Sequence, residues 1–112
     1  MEEIIFGTPN ADLLSGTPSN DLIFGFEGAD TIFGNQGSDM LFGNLGSDQI
    51  YGGQAENTLY GGRNDDLLFG NRGNDFLNGN CGNDTLFGGQ DNDVARGGKG
   101  ADQLFGDRAL AC

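Results

Sequence analysis

Apolar and polar positions along this chain keep a single rhythm of nine, and cutting it from Gly7 gives eleven repeats that run to Phe105 without insertion or deletion. Apart from Phe26 and Leu45, the first six positions of the repeats are small or polar, and the last three carry the bulk. Position 8 is Leu or Ile in ten of the eleven, from Leu14 to Leu104, with Ala95 the exception. Position 9 is aromatic in eight: Phe24, Phe33, Phe42, Tyr51, Tyr60, Phe69, Phe87 and Phe105. The spacing predicts a short strand over positions 7 to 9, whose pleat sends position 8 to one side and positions 7 and 9 to the other. The Leu/Ile column therefore points inward. Two turn-strand units make a coil of 18 residues, and coils stacked at the strand spacing of about 4.8 Å form two parallel sheets back to back. The fold class read from this spacing is an all-β, parallel solenoid of about six coils. Residues 1–112 form one domain, with full repeats over 7–105 and partial repeats at both ends.

The other six positions predict a tight turn. All 22 glycines fall at positions 1, 2 and 4, where the backbone needs a positive φ or a close approach. Where position 2 is not glycine it is often asparagine (Asn35, Asn44, Asn71, Asn80), which tolerates the left-handed region. Position 6 is aspartate in ten repeats, and Asn57 stands in the remaining one.

Composition changes the picture in two ways. Glycine and charge at this level ordinarily signal disorder, but a strict period overrules that reading. Seventeen acids against five bases give a formal charge of -12 with no histidine, which repels nucleic acid and attracts cations. Aspartates stacked one strand spacing apart repel by roughly 3 to 4 kcal/mol per pair at an effective dielectric of ~20. A bound cation reverses the sign of that contribution. Donors that are all oxygen point to Ca²⁺ in place of zinc or copper. The alternative, in which the aspartates serve only as hydrogen-bonded turn formers, would mix Asn, Ser and Asp freely at position 6, and the chain does not.

The phrase GGKGADQLF at residues 97–105, with GNQGSDMLF, GNLGSDQIY, GNRGNDFLN and GNCGNDTLF, resembles the GGxGxDxUx nonapeptide of the RTX (haemolysin-type) calcium-binding repeats, over residues 7–105. The resemblance implies a β-roll with several Ca²⁺ ions held between turns of successive coils. It implies ligation by the position 6 residues Asp12, Asp21, Asp30, Asp39, Asp48, Asn57, Asp66, Asp75, Asp84, Asp93 and Asp102. It further implies backbone carbonyls of the turn: Gly28, Gly37, Gly46, Gly73, Gly82 and Gly100 at position 4, and Asn35, Asn44, Gly53, Gly62, Asn71, Asn80, Gly89 and Gly98 at position 2. The weakest sites are expected beside Asn57 and where position 4 is not glycine (Asn10, Ser19, Ala55, Asn64, Asp91). The first two repeats depart further, with Thr-Pro at positions 2 and 3.

Odd repeats set Phe33, Tyr51, Phe69, Phe87 and Phe105 in one outer column; the other face carries Ile4, Phe6, Leu22, Phe24, Met40 and Phe42. Such columns either cover one another or meet a partner. No catalytic pairing of residues is present, so an enzyme is not expected. Neither a membrane span nor a cleavable leader is read from MEEIIFGTPN.

The expected function is a secreted, extracellular or cell-surface structural protein that folds on binding calcium. It self-assembles as a homo-oligomer or filament, end to end or laterally through its aromatic faces. Met1-Glu2-Glu3 and Gly106-Asp107-Arg108 would complete a repeat across the junction, and residues 1–56 hold nine acids and no base, whereas all five bases follow. The alternatives are a calcium-dependent carrier module of a larger secreted protein and, more remotely, an ice-binding roll. Cys81 and Cys112 fall on opposite sides of the register, so no disulfide between them is expected.

Overall fold

A computed structural model of the chain describes residues 3–106. Twelve strands follow in chain order: β1 (Glu3–Phe6), β2 (Leu13–Ser15), β3 (Asp21–Phe24), β4 (Thr31–Phe33), β5 (Met40–Phe42), β6 (Gln49–Tyr51), β7 (Thr58–Tyr60), β8 (Leu67–Phe69), β9 (Phe76–Asn78), β10 (Thr85–Phe87), β11 (Val94–Arg96) and β12 (Gln103–Phe105). No helix occurs among the described residues. Odd-numbered strands β1 to β11 form one six-stranded sheet and even-numbered strands β2 to β12 form the other. Every pairing is parallel and in register at a separation of 18 residues, as in Ile32↔Ile50 and Leu41↔Leu59. The predicted roll of 18-residue coils is what forms.

The core is one file of side chains between the sheets. Ile23, Ile32, Leu41, Ile50, Leu59, Leu68, Leu77 and Leu86 are completely buried, and Ile5, Leu14 and Ala95 pack against them. All belong to the inward column, since a three-residue strand can point only its central side chain to the opposite face from its neighbours.

Hydrogen bonding does not stop at the strand ends. The position 1 N–H donates to the position 9 carbonyl of the next coil (Gly34 to Tyr51, 2.8 Å), and the position 7 N–H to the position 6 carbonyl of the coil before (Thr58 to Asp39, 2.9 Å). Even the turns stack, with the position 3 N–H of Arg63 donating to the position 2 carbonyl of Asn44 at 2.9 Å. This continuity explains the glycines. A Cβ on Gly34 would sit 2.7 Å from both the Gly52 carbonyl oxygen and Asp39 Oδ2. Gly37 holds a φ of +92°.

The four expected asparagines, Asn35, Asn44, Asn71 and Asn80, adopt φ between 70° and 72°. Ala55, Asn64 and Asp91 keep the same left-handed turn at position 4 with φ of 68°, 73° and 73°. At position 2 of its repeat Phe26 does likewise, at 68°, and its ring lies against Phe6 and Phe24 at 5.8 and 6.0 Å. The Thr-Pro turns of the first two repeats contain no positive φ.

On the outer faces the rings stack in columns. Phe33, Tyr51, Phe69, Phe87 and Phe105 follow one another at 4.8–4.9 Å, and Phe6, Phe24, Phe42 and Tyr60 at 5.0–5.8 Å. Each ring covers its neighbour, so those inside the columns are half-buried while Phe6 is 60% exposed.

Candidate metal centre

Position 6 ends the turn and opens the strand, which places its side chain beside the core at the edge of the roll. Turns that lead from the β1 sheet to the β2 sheet carry Asp12, Asp30, Asp48, Asp66, Asp84 and Asp102 along one edge. Turns that lead back carry Asp21, Asp39, Asn57, Asp75 and Asp93 along the other. From Asp21 through Asp84 these side chains are buried.

From Asp30 onward each carboxylate reaches back one coil. Oδ1 of Asp48 accepts the Asp30 N–H at 2.8 Å, Oδ1 of Asp66 accepts that of Asp48 at 2.8 Å, and Oδ1 of Asp84 that of Asp66 at 2.8 Å. On the other edge, Oδ1 of Asp39 accepts from Asp21, Oδ1 of Asp75 from Asn57 and Oδ1 of Asp93 from Asp75, each at 2.7 Å. The Asp30 and Asp102 carboxylates do the same to Asp12 and Asp84 at 2.8 Å.

The second oxygen is different. Oδ2 of Asp30, Asp39, Asp48, Asp66, Asp75, Asp84 and Asp93 is buried and meets no hydrogen-bond donor. An unpaired buried carboxylate oxygen is costly, and it marks a place that a cation would suit.

Electrostatics give the same reading. Burial, reinforced by neighbouring carboxylates and opposed by the backbone hydrogen bond, pushes Asp66 up to about 9 and Asp75 to about 8. Asp39 and Asp48 are pushed up to about 7 and Asp84 to about 6, by burial first. Asp30 and Asp93 are raised for the same reason. Without a cation, then, the folded chain resists ionising these groups.

Among the described residues no three acidic or other ligating side chains converge on one point. An ion held here must combine carboxylate with backbone oxygen, the donor set of a hard cation. Asn57 identifies the carbonyls within reach: its Nδ2 donates to the Gln54 and Ala55 carbonyl oxygens at 3.1 and 3.3 Å, at positions 3 and 4 of its own turn. At position 2, the carbonyls of Asn35, Asn44, Gly53, Gly62, Asn71 and Asn80 accept the turn-stacking N–H bonds at 2.7–3.0 Å. Gly53, Gly62, Gly89 and Gly98 at position 2, and Gly28, Gly37, Gly46, Gly73, Gly82 and Gly100 at position 4, all hold positive φ, so the turn path is shared from the third repeat onward. Asp12 and Asp21 instead bond to Thr8 and Thr17. The sequence pattern singled out the threonines as departures; that they hydrogen-bond the aspartates was not visible in it.

Cys81 is exposed on a turn, next to Lys99 of the following coil. Cys112, with Met1, Glu2, Asp107 and Arg108, lies outside the described residues, so the expectations for the thiol pair and for a repeat completed across a junction fall there.

No curated protein sequence matches the chain. The family model described as RTX calcium-binding nonapeptide repeat matches it three times, over residues 6–41, 42–77 and 78–108. Its nonapeptides bind Ca²⁺, several ions to an array, and the matches span nearly all of the roll. The chain belongs to the RTX calcium-binding nonapeptide repeat family.

Proposed function

We propose that this protein is a structural calcium-binding roll whose folding is completed by its ions. The observation that carries the reading is the set of seven buried, donorless Oδ2 atoms arranged in two edge columns. Asp30, Asp39, Asp48, Asp66, Asp75, Asp84 and Asp93, with Asp102 at the last coil, supply carboxylate oxygen; carbonyls of turn positions 2 to 4 supply the rest. Bound Ca²⁺ turns a repulsive column into a cross-link between successive coils. RTX repeats typically occur in secreted proteins, and affinities of about 10⁻⁴–10⁻³ M suit extracellular modules, where the ion is plentiful. The proposed location is therefore outside the cell or on its surface. Circular dichroism in chelator and after addition of millimolar Ca²⁺ tests the reading. Strand signal should appear with the ion, and strand content that EDTA leaves unchanged would refute it.

End-to-end assembly is a second reading, favoured by the division of charge along the roll: residues 1–56 hold nine acids and no base, whereas all five bases follow. A second roll stacked head to tail would set the more acidic half of one against the base-bearing half of the next and continue both sheets, and such a contact grows into a filament. The carrier alternative differs in leaving the roll monomeric. Sedimentation in Ca²⁺ over a hundredfold concentration range separates the two: mass that rises with concentration supports assembly, and a monomer throughout ends it.

A further inference from the structure

Ten turns carry an aspartate at position 6 and one carries an asparagine, yet the structure sorts the eleven differently. In three of them the second side-chain atom, Oδ2 of the aspartate or Nδ2 of the asparagine, has protein partners. Thr17 donates its N–H to Asp21 Oδ2 at 2.7 Å, and its hydroxyl lies 2.8 and 3.0 Å from the two carboxylate oxygens. That hydroxyl accepts the Ser19 N–H at 3.1 Å, which commits its proton to the carboxylate. Thr8 repeats the arrangement on Asp12, with 2.6 Å for the N–H bond and 3.1 Å for the Asn10 N–H to its hydroxyl. Both contacts occur in turns without a positive φ, and Oδ2 of the seven buried aspartates in the later turns has no such partner. Asn57 reaches the same end by another route. Its Oδ1 takes the Asp39 N–H at 2.8 Å as an aspartate would, and its Nδ2 stands where Oδ2 stands elsewhere, donating to the Gln54 and Ala55 carbonyls.

We infer that these three turns are built to stay free of calcium, with N–H and O–H groups of the chain taking the part that the cation plays at its neighbours. This rests on the calcium reading above and refines it. The consequence is asymmetric. On one edge Thr8 closes the first turn and the aspartates of the next four (Asp30, Asp48, Asp66, Asp84) follow without a break. On the other edge Thr17 closes the first turn and Asn57 splits the remainder, leaving Asp39 on one side of it and Asp75 and Asp93 on the other. Ions held along the unbroken edge would occupy successive turns, whereas an ion held by Asp39 would have none in the next turn of its edge.

Counting bound ions on the full-length chain by equilibrium dialysis with radioactive Ca²⁺ tests the assignment. N57D should fold in saturating Ca²⁺ and bind one more ion than the wild type, and its structure in chelator should be weaker. T17V should leave the ion count unchanged and lose stability equally with and without Ca²⁺. An N57D chain that gains no ion, or that fails to fold at any Ca²⁺ concentration, overturns the assignment for Asn57; a T17V chain that binds fewer ions overturns it for Asp21. Wild-type protein that binds no Ca²⁺ at all sinks the functional reading itself, a separate result.

Discussion

Asp66 shows what one side chain contributes and costs. Its Oδ1 is bonded, its Oδ2 is buried without a donor, and burial among Asp48, Asp84 and Asp65 raises it to about 9. Replacing it by asparagine offers an amide to the turn carbonyls, as Asn57 already does. D66N should therefore stabilise the metal-free chain by roughly 1–3 kcal/mol, the cost of an unsatisfied buried group, and bind one ion fewer; denaturant titration in EDTA alongside ion counting checks both. The pH dependence follows from the same groups. Their folded values, about 6 to 9, lie above the ordinary carboxylate value of 3.8, so the folded metal-free state binds more protons than the unfolded one. Its stability is fully present below pH 3.8 and is lost as pH rises through 6 to 9. In chelator the strand signal should be stronger at pH 5 than at pH 8, while Ca²⁺ affinity runs the opposite way because the ion competes with the proton. Acid thus releases calcium without reproducing the full effect of chelation. A chelated chain equally unfolded at both pH values would show that the carboxylate column does not govern metal-free stability.

At the scale of the strand, stability rests on a single buried side chain. Leu59 is fully buried between Leu41 and Leu77 in the parallel ladder, so L59A should cost about 2–5 kcal/mol in saturating Ca²⁺, read from urea midpoints. The outer face contributes through its rings. Tyr51 stacks on Phe33 and Phe69 at 4.9 Å, and Y51A should lose about 1–3 kcal/mol as two aromatic pairs worth 0.5–1.5 each disappear. Strand, turn and core file were all legible in the sequence because each repeat votes for the same structure; the period places Leu59 and Tyr51 before any coordinates do. What stayed illegible sits where a residue departs from the consensus. Phe26 occupies a glycine or asparagine position, and nothing local says that its ring will be drawn over Phe6 and Phe24 while its backbone accepts φ of 68°. The hydrogen bonds of Thr8 and Thr17 were hidden for a similar reason, since they depend on a turn conformation that the consensus does not contain. Which oxygens lack donors is a property of three-dimensional burial, and the spacing of aspartates alone could not separate Asp21 from Asp39.

At the scale of the whole molecule, every strand pairing among the described residues joins residues 18 apart, so the roll is a stack of coils, each laid on its neighbours. Loss of calcium should therefore dissolve the fold in stages or as a block according to how strongly neighbouring ions couple, and hydrogen exchange at intermediate Ca²⁺ reads which. Strongest coupling is expected along the unbroken Asp30 to Asp84 edge. The same register sets the rule for changes of chain length. Excising residues 70–87 removes two repeats and rejoins like with like, so each later strand stays in its own sheet. Excising only 70–78 keeps the core file, because position 8 is aliphatic on either side, but it transfers every downstream strand to the opposite sheet. Phe87 would then continue the Phe42–Tyr60 column, and Arg96 would follow Phe69. Genes that grow or shrink by nine codons would thus conserve the fold while shuffling its two surfaces, whereas steps of eighteen conserve both; the near-ultraviolet dichroism of the two deletions would tell the preserved ring stack from the shuffled one.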